Sequence, residues 1–319
     1  MENKFKDFKY LYGPVFSRRL GFSLGVDVVP FKTCTFDCVY CQLGKTLKKI
    51  LKRNKYIDLE RFKIELKRKL NSEKKIDFIT FSGSGEPLLN SQISKILKII
   101  KKYSNKPCCL LTNGSLFYLK KVRKEVKDFD LIIPSLDAPD EETFIKINRP
   151  HEKLKFEKII EGLIELRKEF KGEIWLEIML IRDLNDSNSH AQRFKKIISK
   201  INPDKIQINL PVRAPAERWV KPPLKKNISQ FLKNLGLERA ELIFQKKVPF
   251  QLGIKKDTEN KILNLLNRRP LTFKELKMLF NISSKKLERI LLFLLEKKLI
   301  SKFKYNKKIF YKGRRLIEF

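Results

Sequence analysis

Five cysteines stand in the 319-residue chain, at 34, 38, 41, 108 and 109. Three of them form Cys34-Thr-Phe-Asp-Cys38-Val-Tyr-Cys41, a C-x3-C-x2-C spacing. Three thiolates this close on one loop can hold three irons of a [4Fe–4S] cube and leave the fourth iron open to a substrate or cofactor. A fourth Cys would complete the cube and suit electron transfer instead. Zinc is the alternative occupant. It wants a fourth ligand, and neither His151 nor His190 lies in a matching local motif. Cys108-Cys109 sits within an apolar run, where cysteines serve as small buried hydrophobes. An odd count and a tight cluster do not suit a secreted disulfide framework, so a reduced, cytoplasmic compartment is expected.

The elements that must position this loop can be read from hydrophobic pattern. Gly25–Phe31, Ile76–Ser82, Cys108–Thr112, Leu131–Leu136, Ile174–Ile181 and Lys205–Leu210 are nearly continuous apolar runs rich in Ile, Leu and Val. Such runs mark strands buried on both faces of a parallel sheet. Helical patterns alternate with them. Leu59, Phe62, Leu66 and Leu70 fall on one face behind Asp58 as N-cap, and Ser91–Tyr103, Leu119–Lys127, Phe156–Phe170 and His190–Ile201 behave alike. Six strand–helix units predict an α/β fold of the partial (β/α)6, TIM-like barrel kind, with a doubly wound sheet as the alternative.

Prolines crowd the stretch from Pro211 to Pro223, and a short helix at about 224–235 and a strand at 240–246 are expected after it. Beyond Asp257 the character changes. Thr258–Asn267 reads as a helix, Thr272 and Glu275 form a capping box for a second, and Ser283 or Ser284 caps a third with Leu287, Ile290, Leu291, Leu294 and Leu295 on its apolar face. Two β-like runs, Leu299–Lys304 and Lys308–Lys312, follow around a tight turn. Three helices and a hairpin in under about 70 residues predict a winged helix. The expected division is 1–250 for the barrel with its Pro-rich extension and 255–319 for the winged helix.

Lys and Arg outnumber Asp and Glu by 71 to 36, a net charge of +35. That excludes an acidic solvating protein and favours polyanions electrostatically. Lys is spread along the whole chain, however, and an AT-rich coding sequence would produce the same excess. Residues 255–319 carry 19 Lys and Arg against 6 Asp and Glu, a net +13. No run approaches about 18 uninterrupted apolar residues and the first ten residues are polar, so neither a membrane span nor an export signal is expected.

The Cys motif, with Tyr40 just before its last Cys, resembles the radical S-adenosylmethionine (SAM) superfamily over about residues 10–215. The resemblance implies that SAM chelates the open iron and is cleaved by an electron from the cluster to a 5′-deoxyadenosyl radical. A reductant of the flavodoxin or ferredoxin kind is implied as partner. Ser82-Gly83-Ser84-Gly85-Glu86-Pro87 resembles the family's Gly-Gly-Glu-Pro element, which binds the SAM amino group; Ser84 replaces its first Gly. Gly85 would let backbone approach a ligand, and Glu86 would accept from an ammonium. Asn113, after the third strand, is implied near adenosine. Ser135 and Asp137, which alternation would put on one side of the fourth strand's end, are implied at the ribose or the carboxylate.

More closely, the chain is similar to a little-characterised group of radical SAM Fe–S oxidoreductases distantly related to the wybutosine tRNA-modifying enzymes. The matching stretches are Tyr12-Gly-Pro-Val-Phe-Ser-Arg18-Arg19-Leu-Gly, Gly25-Val-Asp-Val-Val-Pro-Phe-Lys-Thr-Cys34, Asn148-Arg-Pro-His151, Trp175-Leu-Glu-Ile-Met179 and Asn209-Leu-Pro-Val-Arg213-Ala-Pro. Within these, Arg18, Arg19, Glu177, Asn209 and Arg213 are candidates for the cavity. Arg149 suits either a bidentate anion contact or a structural ion pair. Two readings follow: a radical SAM enzyme, with tRNA or another RNA as a candidate substrate, and a redox-sensing nucleic-acid regulator that uses the cluster alone. A sensor needs the three Cys but not Glu86 or Asp137, so those elements favour the enzyme.

Overall fold

The apolar runs become the strands of one sheet in the computed structural model, which describes residues 8–73, 75–243 and 258–314. In chain order the elements are β1 (Leu11–Ser17), β2 (Gly21–Val26), β3 (Thr33–Cys34), β4 (Lys48–Lys49), α1 (Leu59–Ser72), β5 (Phe78–Phe81), α2 (Ile93–Tyr103) and β6 (Cys108–Thr112). Then come α3 (Lys120–Glu125), β7 (Leu131–Pro134), α4 (Glu141–Asn148), α5 (Phe156–Glu169), β8 (Glu173–Met179), α6 (Asn188–Ile201), β9 (Lys205–Asn209), α7 (Lys225–Leu235) and β10 (Ala240–Leu242). The C-terminal part holds α8 (Thr258–Leu266), β11 (Leu271–Thr272), α9 (Phe273–Phe280), α10 (Ser284–Glu296), β12 (Ile300–Tyr305) and β13 (Lys308–Gly313).

The main sheet runs β1-β2-β5-β6-β7-β8-β9-β10. All neighbours from β2 onward are parallel, and β1 is antiparallel at one edge. The order follows the chain without reversal. A doubly wound sheet would reverse at a switch point; a sheet wound in one direction curls toward a barrel. The result is an α/β fold with the parallel sheet of a TIM-like partial barrel.

Alternation along the strands sorts their two faces. Leu24, Ile79, Leu110, Ile132, Leu176 and Ile206 join the large core shared with the helices. Cys109, Leu131 and Ile133 form a smaller cluster on the other face with Leu20. Helix starts follow their caps: the Asp58 side chain accepts from Glu60 N and Arg61 N, and the Thr272–Glu275 capping box is formed.

Several elements depart from expectation, among them the short strands β3, β4 and β11, which were not expected. The strand expected at Gly25–Phe31 sits four residues earlier, because the backbone after Val26 leaves the sheet to carry Asp27 and the Cys loop. β1 was hidden by Gly13-Pro14, which breaks its alternation and shifts its register between Tyr12 and Val15. α4 was not expected, although Asp140 caps it by accepting from Thr143 N. The strand expected at 240–246 is β10 as far as Leu242; its end, like the 250/255 boundary, lies outside the described residues.

Residues 258–314 form three helices with a three-stranded sheet ordered β11-β13-β12. Their core includes Ile262, Leu276 and Leu291 together with Tyr12 and Val15 of β1. A buried ion pair, Arg268 Nε to Asp27 Oδ2 at 3.1 Å, joins the turn after α8 to the loop after β2. Among the described residues no helix is long and apolar enough to cross a membrane.

Candidate active site

The Cys loop leaves the end of β2 and is pinned from two sides. β3, which contains Cys34, pairs in parallel with β4. The end of α4 supplies carbonyls: Asp37 N donates to Asn148 O at 3.0 Å and Val39 N to Ile147 O at 2.9 Å, while His151 N donates to Thr35 O at 2.9 Å. Arg149 takes the left-handed region at φ 44°, which turns the chain so that Pro150 bridges Phe36. The Arg149 side chain pairs with Glu217 at 2.6 Å, so it is a structural ion pair. The stretch Asn148–His151 thus works largely as a backbone clamp on the Cys loop.

Each of the three sulfurs has a side-chain donor from outside the Cys motif near it. Asn113 Nδ2 lies 3.6 Å from Cys34 Sγ, Asn148 Nδ2 lies 3.5 Å from Cys38 Sγ, and Lys32 Nζ lies 3.3 Å from Cys41 Sγ. Burial pushes the Cys34 thiol up to about 12, with Glu86 and Cys41 adding to the shift. Burial, then Cys34, Asp137 and Cys41, push Cys38 well above the usual thiol range. Sulfurs in this setting become thiolates only against strong positive charge, and iron supplies it. Among the described residues no three His, Cys, Asp or Glu side chains converge tightly enough for one metal ion. The donor set is three thiols, which suits a cluster that keeps one iron open, whereas a single zinc wants four ligands.

Beside the sulfurs lies a cavity of about 210 Å³. Cys34, Cys38, Gly85, Glu86, Asn113 and Ser135 line it, together with Arg19 and Glu177. Glu86 is fixed at the start of a short 3-10 turn. Its Oε1 accepts from Thr112 Oγ1 at 2.6 Å and Leu88 N at 3.0 Å, and its Oε2 accepts from Asn113 N at 2.8 Å. Burial nevertheless pushes its carboxyl up to about 7, against the pull of these three bonds. A carboxylate has about four acceptor positions, so one remains for a ligand ammonium. Gly85 has no room for a side chain, since a Cβ there would stand 1.9 Å from Thr33 O. Ser84, in place of the family's Gly, turns away from the cavity: its N–H and Oγ donate to Asp27 at 2.9 and 2.6 Å.

Ser135 and Asp137 part company. Ser135 still bridges Glu177 beyond the end of β7 and lines the cavity, whereas the Asp137 carboxylate is taken up by the Cys loop and by β8. Its Oδ2 accepts from the Tyr40 hydroxyl and from Asn148 Nδ2 at 2.9 Å, and its Oδ1 from Met179 N at 2.9 Å. Tyr40 and Asp137 therefore tie the Cys loop to the ends of β7 and β8. Arg19 pairs with Glu177 within the cavity lining, and Arg18 Nη2 donates to Asn209 Oδ1 at 2.9 Å. The turn after β1 thus reaches the strands at the far side of the sheet. Arg213 Nη1 donates to Gln42, next to Cys41, at 3.3 Å. The imidazole rings of His151 and His190 make local bonds, to Lys153 N and within the α6 cap. Cys108 and Cys109 are fully buried in β6 and take no part in the Cys loop. Lys32 and Asn148 as sulfur donors escaped the sequence reading. Lys32, two residues before the first Cys, was the more accessible signal.

The sequence model of the radical SAM superfamily matches residues 28–194, more than half of the chain. A protein of Brachyspira hyodysenteriae described as GTPase Obg is 36% identical over 94% of this chain, but the chain spans only 44% of that relative's length. A UPF0026 protein of Methanocaldococcus jannaschii is 35% identical, with 94% of each chain covered. A dual-specificity RNA methyltransferase of Buchnera aphidicola is 31% identical over 55% of this chain and 50% of its own. In fold, a radical SAM methyltransferase from Sphaerobacter thermophilus matches with a TM-score of 0.56 at 16% identity, covering 71% of this chain and 67% of that one. The superfamily match spans the strand ends that carry Glu86 and Asp137 as well as the three Cys, and a redox sensor that used the cluster alone finds no support. The chain belongs to the radical SAM superfamily, an enzyme whose cofactors are a [4Fe–4S] cluster and S-adenosylmethionine.

Proposed function

We propose that Cys34, Cys38 and Cys41 hold the cluster, that Glu86 holds the SAM ammonium, and that the enzyme modifies an RNA, with tRNA the first candidate. When bound, the cluster and SAM supply a 5′-deoxyadenosyl radical that takes a hydrogen atom from the substrate. The protein's residues bind and orient. Asn113, Asn148 and Lys32 steady the sulfurs, Gly85 lets the Glu86 turn lie against the Cys-loop backbone, and Tyr40 with Asp137 fixes the loop above the strand ends. Ser135 and Asn113 present polar edges to the same cavity. A flavodoxin- or ferredoxin-like reductant is the expected electron source, and a reducing compartment such as the cytoplasm suits the free thiols.

The observation that carries the RNA reading is the basic C-terminal unit seated beside the Cys loop. Lys312 Nζ on β13 donates to Leu43 O at 3.0 Å, and Tyr305 Oη on β12 donates to Pro211 O at 3.1 Å. We read this unit as a winged helix, with α10 presenting Lys285, Lys286 and Arg289 on its exposed side as a groove-reading helix would. The similarity to an RNA methyltransferase leans the same way. The test incubates reconstituted protein with dithionite, SAM and unmodified tRNA under anaerobic conditions. The reading expects a nucleoside mass change and faster 5′-deoxyadenosine release than without RNA. Equal release with and without RNA, and no mass change across total RNA, would refute it.

A further inference from the structure

Four arginines from three parts of the chain act on one another electrostatically, and one of them, Arg19, lines the cavity. Arg18 and Arg19 lie in the turn between β1 and β2, Arg213 follows β9, and Arg269 lies in the turn between α8 and β11. Arg19 is neutralised by Glu177. None of the other three has a carboxylate within salt-bridge distance among the described residues. Glu275 is the acidic group nearest in effect, and its Oε2 already accepts from Thr272 N and Thr272 Oγ1, each at 2.8 Å. The Nε atoms of Arg213 and Arg269 are buried and have no hydrogen-bond partner.

The electrostatics agree with this geometry. Burial, then Arg269, Arg18 and Arg19, pull Arg213 well below the usual guanidinium range against Glu275. Burial also pulls Arg269 and Arg18 down, again opposed by Glu275. A guanidinium does not shed its proton to relieve such crowding. Unpaired charge partly withdrawn from water, as on these half-buried side chains, is costly. Like charges gathered this way are stable only against an anion supplied from outside, and the guanidinium fork matches phosphate oxygens two at a time.

We propose that Arg18, Arg213 and Arg269 form a clamp for a phosphate group of the substrate. The clamp is placed to serve the cavity: Arg19, beside Arg18, lines it, and Arg213 touches Gln42 next to Cys41. A phosphorylated nucleotide held there presents its remaining atoms toward the cluster side of the cavity. The assignment rests on the reading of that cavity as the place where substrate meets cofactor.

The test uses full-length reconstituted holoprotein without dithionite, at near-physiological salt. The probes are inorganic pyrophosphate, a 5′-mononucleotide, a 5′-phosphorylated RNA oligonucleotide and, as the carboxylate control, citrate. The variants are Arg213→Gln and Arg269→Gln, with Lys158→Gln/Lys196→Gln on exposed helix faces as the charge control. Each arginine variant is expected to weaken the phosphate probes by about tenfold or more, the strength of a charge-assisted contact. The lysine pair is expected to change them less than about twofold. Without ligand, each arginine variant is expected to melt at or above the wild-type temperature, because like-charge repulsion is relieved. Binding of the mononucleotide supports the clamp with a small nucleotide as source; binding of the oligonucleotide alone supports it with a polynucleotide. Unchanged phosphate affinity in both arginine variants overturns the proposal, as does citrate binding equal to phosphate. A lowered melting temperature without ligand would assign the arginines a structural role and also overturn it. Loss of SAM affinity with phosphate binding intact would assign them to the cofactor. A protein that cleaves no SAM yet shows arginine-dependent phosphate binding would fail the radical reading and leave the clamp standing.

Discussion

The side-chain amide of Asn148 lies 3.5 Å from Cys38 Sγ while the same nitrogen donates to Asp137 Oδ2 at 2.9 Å. A residue at the end of α4 thereby joins a sulfur of the Cys motif to the buried carboxylate that anchors Tyr40. With Asn113 at Cys34 and Lys32 at Cys41, each sulfur has one donor from outside the motif.

Donors to cluster sulfurs stabilise the more negative, reduced state and so raise the reduction potential. Asn148→Leu and Lys32→Met are each expected to lower the midpoint while iron content stays at the wild-type level. An EPR-monitored redox titration reads this. Two variants with full iron and wild-type midpoints would refute the donor role.

Iron should depend on the loop cysteines alone. A Cys34→Ala/Cys38→Ala/Cys41→Ala protein is expected to lose the roughly four irons per chain that the cube requires. Cys108→Ala with Cys109→Ala should retain them, because both side chains are buried in β6 among apolar neighbours. Iron and sulfide analysis after anaerobic reconstitution decides it, and iron surviving in the triple variant would contradict the assignment.

Glu86 should leave a pH signature. Its carboxyl is raised from 4.5 to about 7, so its protonated form favours the fold. Stability from this group is full below about 4.5 and is lost as pH rises through 7, on the order of 3 kcal/mol at about 1.4 kcal/mol per pH unit. Glu86→Gln is expected to flatten that part of the stability profile. SAM binding should run the opposite way. Wild-type affinity falls as pH drops from 8 to 6, because a neutral carboxyl attracts an ammonium weakly, and the Gln variant binds weakly throughout. Calorimetry showing parallel wild-type and variant profiles would exclude Glu86 from the cofactor site.

Gly85→Ala tests the contact between the Glu86 turn and the Cys loop. The new Cβ would stand 1.9 Å from Thr33 O, one residue before the first Cys, so backbone must move. Overpacking of this kind costs about 1–3 kcal/mol, and slower or incomplete iron uptake is expected. Wild-type melting and iron uptake would show that the turn yields freely.

Much of this was legible in the chain because it is local. C-x3-C-x2-C is a statement about eight consecutive residues, and five of the six expected strands begin within two residues of their place because buried parallel strands are written as apolar runs. What was hidden is what the fold assembles from a distance. Asn148 reaches Cys38 across 110 positions, and Arg18, Arg213 and Arg269 come to act on one another only once the sheet has curled and the C-terminal unit has docked on β1. β1 was obscured by Gly13-Pro14. Asp137 is held by Tyr40, Asn148 and Met179, partners that alternation along β7 does not reveal.

The central claim is that this cavity and these three cysteines cleave SAM reductively. Anaerobic incubation of reconstituted wild-type protein with dithionite and SAM, followed by chromatography for 5′-deoxyadenosine, tests it most directly. The account predicts 5′-deoxyadenosine from wild type, none without dithionite and none from the triple Cys→Ala variant. A protein that carries its full iron complement and binds SAM, yet releases no 5′-deoxyadenosine with or without RNA present, would contradict it.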